Sequence, residues 1–217
     1  MNWQDTAVFV NNRDNLDRGF RSLVRWLRDA GVKTVCVIDN ASTWPPLLDF
    51  YQRDREFDLI SLSENKGPYA FWELDMHKAG HPFIITDPDV IVPASCPSDL
   101  ICRMHSLMNM RDAAKTGPSL RIDNLPDHYV QKQRVLDWES QFWQKPVGDG
   151  KPHAYEAQID TTFALYKPGS WHWPEGAHLR MAPPYSIEHV PWYEDSSLAN
   201  AEREHYHANA HQGWINW

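Results

Sequence analysis

Four short apolar runs, each closed by a cluster of polar residues, organise the first part of the chain. Ala7-Val8-Phe9-Val10 runs into Asn11-Asn12-Arg13, and Thr34-Val35-Cys36-Val37-Ile38 into Asp39-Asn40-Ala41-Ser42-Thr43. Asp58-Leu59-Ile60-Ser61-Leu62 ends in Ser63-Glu64-Asn65-Lys66-Gly67, and Pro82-Phe83-Ile84-Ile85-Thr86 in Asp87-Pro88-Asp89. The segments between them carry helical spacing. Leu16, Phe20, Leu23, Val24 and Leu27 form an apolar stripe stopped by Ala30-Gly31, with Arg18, Arg21, Arg25 and Arg28 largely off it. A second helix is predicted from Pro45 to about Arg53, with proline near its first turn, and a third from Tyr69 to Ala79 before Gly80. Continuous apolar strands joined by helices fold as a parallel sheet covered on both faces, with right-handed crossovers. The strand carboxyl ends then share one edge, where ligands of such sheets bind. All four polar clusters fall at that edge.

The second part is less regular. Helical spacing covers Ser98 to Met110 and His128 to Trp143, and 196–211 reads as helix. Leu120-Arg121-Ile122 and Ala157 to Tyr166 have strand character, whereas 144–153 and 170–192 read as loops. With 217 residues and no repeat, a single α/β domain is expected, in two halves, 1–92 and 93–217.

The charge is −8, from 21 basic and 29 acidic residues, which disfavours a binder of nucleic-acid backbone. Mean hydropathy is −0.60 and no apolar run approaches a membrane span. The opening residues lack the basic and apolar regions of a secretory signal, and the three cysteines (Cys36, Cys96 and Cys102) form no CxxC pair. A cytoplasmic protein with reduced thiols is therefore expected, with the inner face of a membrane as a second setting. Eleven tryptophans stand out; they serve either a tryptophan-rich core or the stacking of sugars.

Neither GxGxxG nor GxxxxGK[ST] is present, so a dinucleotide dehydrogenase or a P-loop NTPase is disfavoured. Asp87-Pro88-Asp89 offers another way to manage a diphosphate. Carboxylates at i and i+2 on extended backbone point to one side, and Pro88 biases Asp87 towards that geometry. Hard oxygen ligands with open positions suit Mg²⁺ or Mn²⁺.

The series Val37-Ile38-Asp39-Asn40, Asn65-Lys66-Gly67 and Thr86-Asp87-Pro88-Asp89 resembles the GT-A glycosyltransferases, most nearly the family 2-like bacterial enzymes. The resemblance covers about residues 7–92, and it implies a GT-A domain in which 1–92 bind the nucleotide-sugar and metal and 93–217 the acceptor. It implies a nucleotide diphosphate sugar donor, a divalent cation, and a hydroxyl acceptor on a glycan or lipid-linked sugar, in a setting such as bacterial polysaccharide assembly. It places Asn11, Asn12 and Arg13 at the base and ribose, and Asp39 as an acceptor of a hydrogen bond from the base. Asn65 and Gly67 would lie by the nucleotide or its phosphates with Lys66 nearby, Asp87 and Asp89 at the metal and diphosphate. It brings a late-chain histidine, His189, to the metal, and likens Glu194-Asp195 to the family's catalytic base pair. A turn is the other reading of Asp39-Asn40, and a helix N-terminal cluster the other reading of Glu194-Asp195.

Asp160 sits in an apolar stretch and needs a partner; it either shapes the sugar pocket or caps backbone donors. Trp171, His172 and Trp173 are candidates for sugar stacking. His205, His207 and His211 suggest a metal cluster, but a solvated face is the preferred reading. Trp214 and Trp217 either pack on the core, close over the acceptor or make a peripheral membrane contact. Two further readings stay open. One is a sugar-nucleotide pyrophosphorylase, although the glycines its signature loop needs are missing around Asn11-Asn12-Arg13-Asp14. The other is a carbohydrate-binding scaffold without catalysis.

Overall fold

A computed structural model of the chain describes residues 2–53 and 56–209. The elements alternate as expected at first: β1 (Ala7–Asn12), α1 (Phe20–Asp29), β2 (Val35–Asp39), α2 (Pro45–Arg53), β3 (Asp58–Ser61), α3 (Ala70–Glu73) and β4 (Phe83–Thr86). Then come β5 (Val90–Ile91), α4 (Leu100–Arg111), β6 (Lys115–Gly117), β7 (Ser119–Leu120), α5 (Lys132–Ser140), β8 (Pro146–Val147) and β9 (Ala154–Glu156). The described part closes with β10 (Phe163–Tyr166), β11 (His178–Met181), β12 (Ser186–His189) and α6 (Ala201–Asn209).

One sheet has the order β3-β2-β1-β4-β10-β6-β11-β9-β8. Its first four strands are parallel, with Val8 opposite Val35 and Ile84 and Ile38 opposite Ile60. The next strand, β10, runs antiparallel to β4 and places Phe163 opposite Thr86. Residues just before β10 therefore emerge at the edge where β4 ends. A second sheet, β5-β12-β7, lies at that edge and pairs His189 with Val90.

Period-two alternation divides the interior. Val8, Val10, Ile84, Phe163 and Leu165 face a core shared with α1, α2 and α4. Burying Phe20, Leu23, Val24 and Leu27 on this side gives α1 its anchor, at roughly 1.5–3 kcal/mol for each side chain. Ile38, Phe83, Ile85, Ala164 and Tyr166 face the other side, where the short α3 supplies Phe71 and Trp72. A four-residue helix has little area to offer, and rings fill the gap. Phe71 lies 4.7 Å from both Phe9 and Phe83, and Phe83 stacks on Tyr166 at 5.1 Å. Part of the tryptophan content is thus core, Trp72 and Trp192 being fully buried, while Trp138, Trp171 and Trp173 are exposed.

Several boundaries differ from expectation. The helix expected over Tyr69–Ala79 breaks after Glu73, where Asp75 takes φ +58°, and resumes as a 3₁₀ turn at Met76–Ala79. The first helix starts at Phe20 because Gly19 has φ +135°, outside the helical region. The helix expected over His128–Trp143 is helical only from Lys132 to Ser140, with a 3₁₀ turn after it. Of the strand expected over Ala157–Tyr166 only Phe163–Tyr166 (β10) is strand, the residues before it forming a loop that lines the cleft, and the expected loop 170–192 contains β11 and β12. These strands are two to four residues long, too short to show a period. His211, Trp214 and Trp217 lie outside the described residues. No helix among the described residues is long and apolar enough to cross a membrane. The three cysteines are unpaired.

Candidate functional site

The strand ends open into a cleft of about 680 Å³. On its donor side the polar clusters of β1, β2 and β3 are tied together. Asn40 donates from Nδ2 to the Gly67 carbonyl at 2.8 Å and accepts from the Lys66 amide at 2.7 Å, while Asn11 donates to the same carbonyl at 3.1 Å. Asn65 Oδ1 accepts from the Gly67 amide at 2.9 Å, and Gly67 holds φ +73°, a conformation that favours glycine. Arg13 donates from Nη1 to the Asn40 and Ala41 carbonyls at 2.7 and 2.8 Å. Asn11, Arg13, Asn40, Asn65 and Gly67 line the cleft.

Three expected donor residues do not. Asn12 is fully buried and donates to the Asn15 carbonyl and the Tyr51 hydroxyl. Asp39 is buried behind the same hydroxyl, which donates to it at 3.5 Å; burial raises its carboxyl pKa against hydrogen bonds from Ser42. The two side chains brace the β1–β2 edge from within, and neighbouring Asn40 takes the position on the wall. Lys66 points outward to Glu64, 3.0 Å away, and Glu73.

Asp87 and Asp89 leave β4, the strand next to β1, and line the same cleft. The Asp87 amide donates to the Thr162 carbonyl at 3.2 Å, so the β4–β10 pairing continues into the site. Burial, Asp89 and Asp160 push the Asp87 carboxyl up to about 7. Asp89 behaves oppositely. Burial opposes its charge, but His189 and Arg18 outweigh it and hold the carboxyl below its ordinary value. His189 Nε2 lies 3.6 Å from Asp89 Oδ2; burial opposes the imidazolium, yet Asp89 raises it overall. The second sheet fixes this pair, because the Val190 amide donates to the Asp89 carbonyl at 2.8 Å. Gly19 backs the turn. A Cβ there would stand 2.6 Å from the Pro88 carbonyl oxygen and 2.8 Å from Asp89 Cα.

The acids expected as catalytic bases separate clearly. Glu194 takes a bidentate ion pair from Arg18, at 2.5 Å from Nε and 3.0 Å from Nη2, so its lone pairs are committed. Asp195 is off the cleft wall and accepts from the amide and hydroxyl of Ser197, which lower its pKa. Asp160 is exposed on the wall, and its one recorded hydrogen bond is from the Thr161 amide at 2.8 Å.

Other parts of the site were not foreseen. Arg18 reaches the cleft only because Gly19 delays the helix. Glu202 of α6 accepts from the amides of Leu16, Asp17 and Arg18 at 2.8, 3.0 and 3.2 Å, strapping α6 to the β1–α1 connection. Arg180 and Glu139 form a buried ion pair beside the acceptor side, from positions far apart in sequence that no local pattern links. His205 contacts Thr43 and lies 3.8 Å from Asp14 rather than joining a histidine cluster. Among the described residues no group of three histidine, cysteine or acidic side chains is arranged to hold a metal ion.

No protein-family profile and no curated sequence matches the chain. Its likeness lies in three dimensions. The parallel β3-β2-β1-β4 unit, the reversed β10 beside it and the layered helices make this a GT-A glycosyltransferase fold. TarS of S. aureus in complex with UDP-GlcNAc matches with a TM-score of 0.52 over 94% of this chain and 64% of that one, at 10% identity. HddC from Yersinia pseudotuberculosis matches with a TM-score of 0.51 over 88% of this chain and 96% of its own, at 13% identity. The chain spans 60 to 64% of the TarS 1–349 chains it matches.

Proposed function

We propose that this protein transfers a glycosyl group from a nucleotide diphosphate sugar to an acceptor hydroxyl. The observation that carries the reading is that one cleft at the strand ends gathers the amide and carbonyl groups of Asn11, Asn40, Asn65 and Gly67 together with the Asp87 and Asp89 carboxylates. The complex of TarS with UDP-GlcNAc, on a similar fold, supports a donor of this class.

In this reading Asn11, Asn40 and Arg13 orient the nucleoside. Asp87 and Asp89 hold Mg²⁺ or Mn²⁺. Such cations are commonly bound by one or two carboxylates together with substrate phosphates, and Asp87 and Asp89 would supply those carboxylates. Burial first, and the charges of Asp89 and Asp160 after it, push Asp87 up to about 7, and a cation there would favour its ionised form; His189, whose buried Nδ1 has no hydrogen-bond partner among the described residues, stands beside Asp89. Held by these carboxylates, a divalent cation would supply positive charge to stabilise the leaving diphosphate. Arg18, fixed by Glu194, adds positive potential near Asp89. Asp160, an exposed carboxylate on the cleft wall, would take the proton from the acceptor hydroxyl as it attacks the anomeric carbon.

The test is release of nucleotide from UDP- or GDP-sugars with and without Mn²⁺. Slow, Mn²⁺-dependent release is expected, abolished by Asp89→Ala and by Asp87→Ala. Undetectable nucleotide binding at millimolar donor, or full activity in both variants, would overturn the proposal.

A further inference from the structure

The acceptor side of the cleft has an unusual surface. Trp138 is 53% exposed and Val130 80% exposed, and both line the cleft, as does Trp173, 41% exposed. The three lie in one cleft, and apolar side chains gathered on a concave surface mark a binding site. Trp138 meets Phe142 edge-on at 5.9 Å, and the Arg180 guanidinium lies 4.1 Å from the centre of the Phe142 ring. Arg180 donates in turn to Glu139 and, at 3.2 Å, to the Gln158 carbonyl. An exposed indole therefore stands beside an aromatic ring and a fixed set of polar groups.

Charge narrows what this wall accepts. Five carboxylates (Asp87, Asp89, Glu139, Asp160 and Glu194) line the cleft against four arginines. Arg18 and Arg180 are consumed by Glu194 and Glu139. Arg13 and Arg203 donate to backbone carbonyls, Arg203 to those of Asp195 and Leu198. A phosphorylated or carboxylated acceptor would meet the exposed Asp160 carboxylate, and each arginine lining the cleft is already committed to Glu139, Glu194 or backbone carbonyls. A pyranose has an apolar C–H face and a rim of neutral hydroxyls, and it matches both the exposed indole and the polar groups beside it.

We infer that the Trp138–Phe142 wall is a subsite for an uncharged oligosaccharide, one ring of which stacks on the indole of Trp138. Resting on the transferase reading, this names the acceptor as a neutral glycan chain rather than an anionic polymer or a lipid surface. The apolar residues line the inside of the cleft that holds Asp87 and Asp89, so a chain seated on them continues to the reaction centre.

The protein without donor is applied to an array of neutral and anionic glycans, and the strongest binder is followed by titration calorimetry with wild type and Trp138→Ala. Trp138 is exposed, so the variant keeps its fold, checked by an unchanged melting temperature. The expected result is binding confined to neutral glycans and weakened at least tenfold in the variant. Equal or tighter binding of anionic glycans, no binding across the array, or an unchanged affinity in Trp138→Ala would overturn the inference. So would Trp138-dependent binding to phosphatidylcholine or phosphatidylglycerol vesicles in place of glycans. Donor cleavage is read separately, so loss of nucleotide release with glycan binding intact would count against the transferase reading alone.

Discussion

Replacing Glu202 by alanine removes the acceptor from three consecutive backbone amides. Leu16 and Arg18 are buried and Asp17 is exposed, so two of the three donors would be left without water. A buried donor without a partner costs about 1–3 kcal/mol, which gives roughly 2–6 kcal/mol for the pair. Relief sets the value near the lower end. Glu202 is the one buried residue of α6, so the helix can lift and admit solvent. A loss of about 2–3 kcal/mol lowers the melting temperature of a chain this size by roughly 4–12 °C. Circular-dichroism melts give the shift, and hydrogen exchange at residues 16–18 locates it; Glu202→Gln, which keeps one acceptor oxygen, should fall between. A melting temperature within about 1 °C of wild type, with those amides still protected, would refute the reasoning.

Gly19→Ala forces a Cβ into the Pro88–Asp89 backbone at a residue with φ +135°. A loss of about 1–3 kcal/mol from strain is expected in urea unfolding, with nucleotide release reduced at least tenfold in the folded variant because Asp89 is displaced. Lys115 is fully buried, donates to the Ile159 carbonyl at 2.6 Å, and is driven down to about 7 by burial, against the attraction of Asp160 and Asp87. From pH 7 towards 10.5 the unfolded chain holds a proton that the native chain has released, so this group's contribution to stability rises with pH and is lost as pH falls through 7. Urea unfolding at pH 7 and 9 should show wild type gaining on Lys115→Met by up to about 2 kcal/mol; parallel curves would contradict it.

The first half was legible because β2 and β4 are buried along their whole length and α1 is amphipathic, so apolar runs, helical spacing and polar punctuation survive in Val35–Ile38, Ile84–Ile85 and the Leu23–Leu27 stripe. What the pattern could not reveal was side-chain direction at the strand ends. Asn12 and Asp39 follow β1 and β2 inward to Tyr51, whereas Asn11 and Asn40, one residue away, reach the cleft. The acceptor half hid its strands in two- to four-residue segments and its ion pairs across long separations, as with Arg180 and Glu139. Glu194 looked like a free acid because nothing local announces Arg18, 176 positions earlier, as its partner.

The reversal of β10 separates two kinds of change that this scaffold can absorb. The tips of β1, β2 and β4 point one way into the cleft, while the loop entering β10 delivers Gln158, Asp160 and Thr161 from the opposite heading. Residues 121–160 rejoin the large sheet at its far side, through the pairing of β9 with β11. Under the proposed reading, that segment is free to be reshaped for a new recipient while the tips of β1, β2 and β4 keep their geometry.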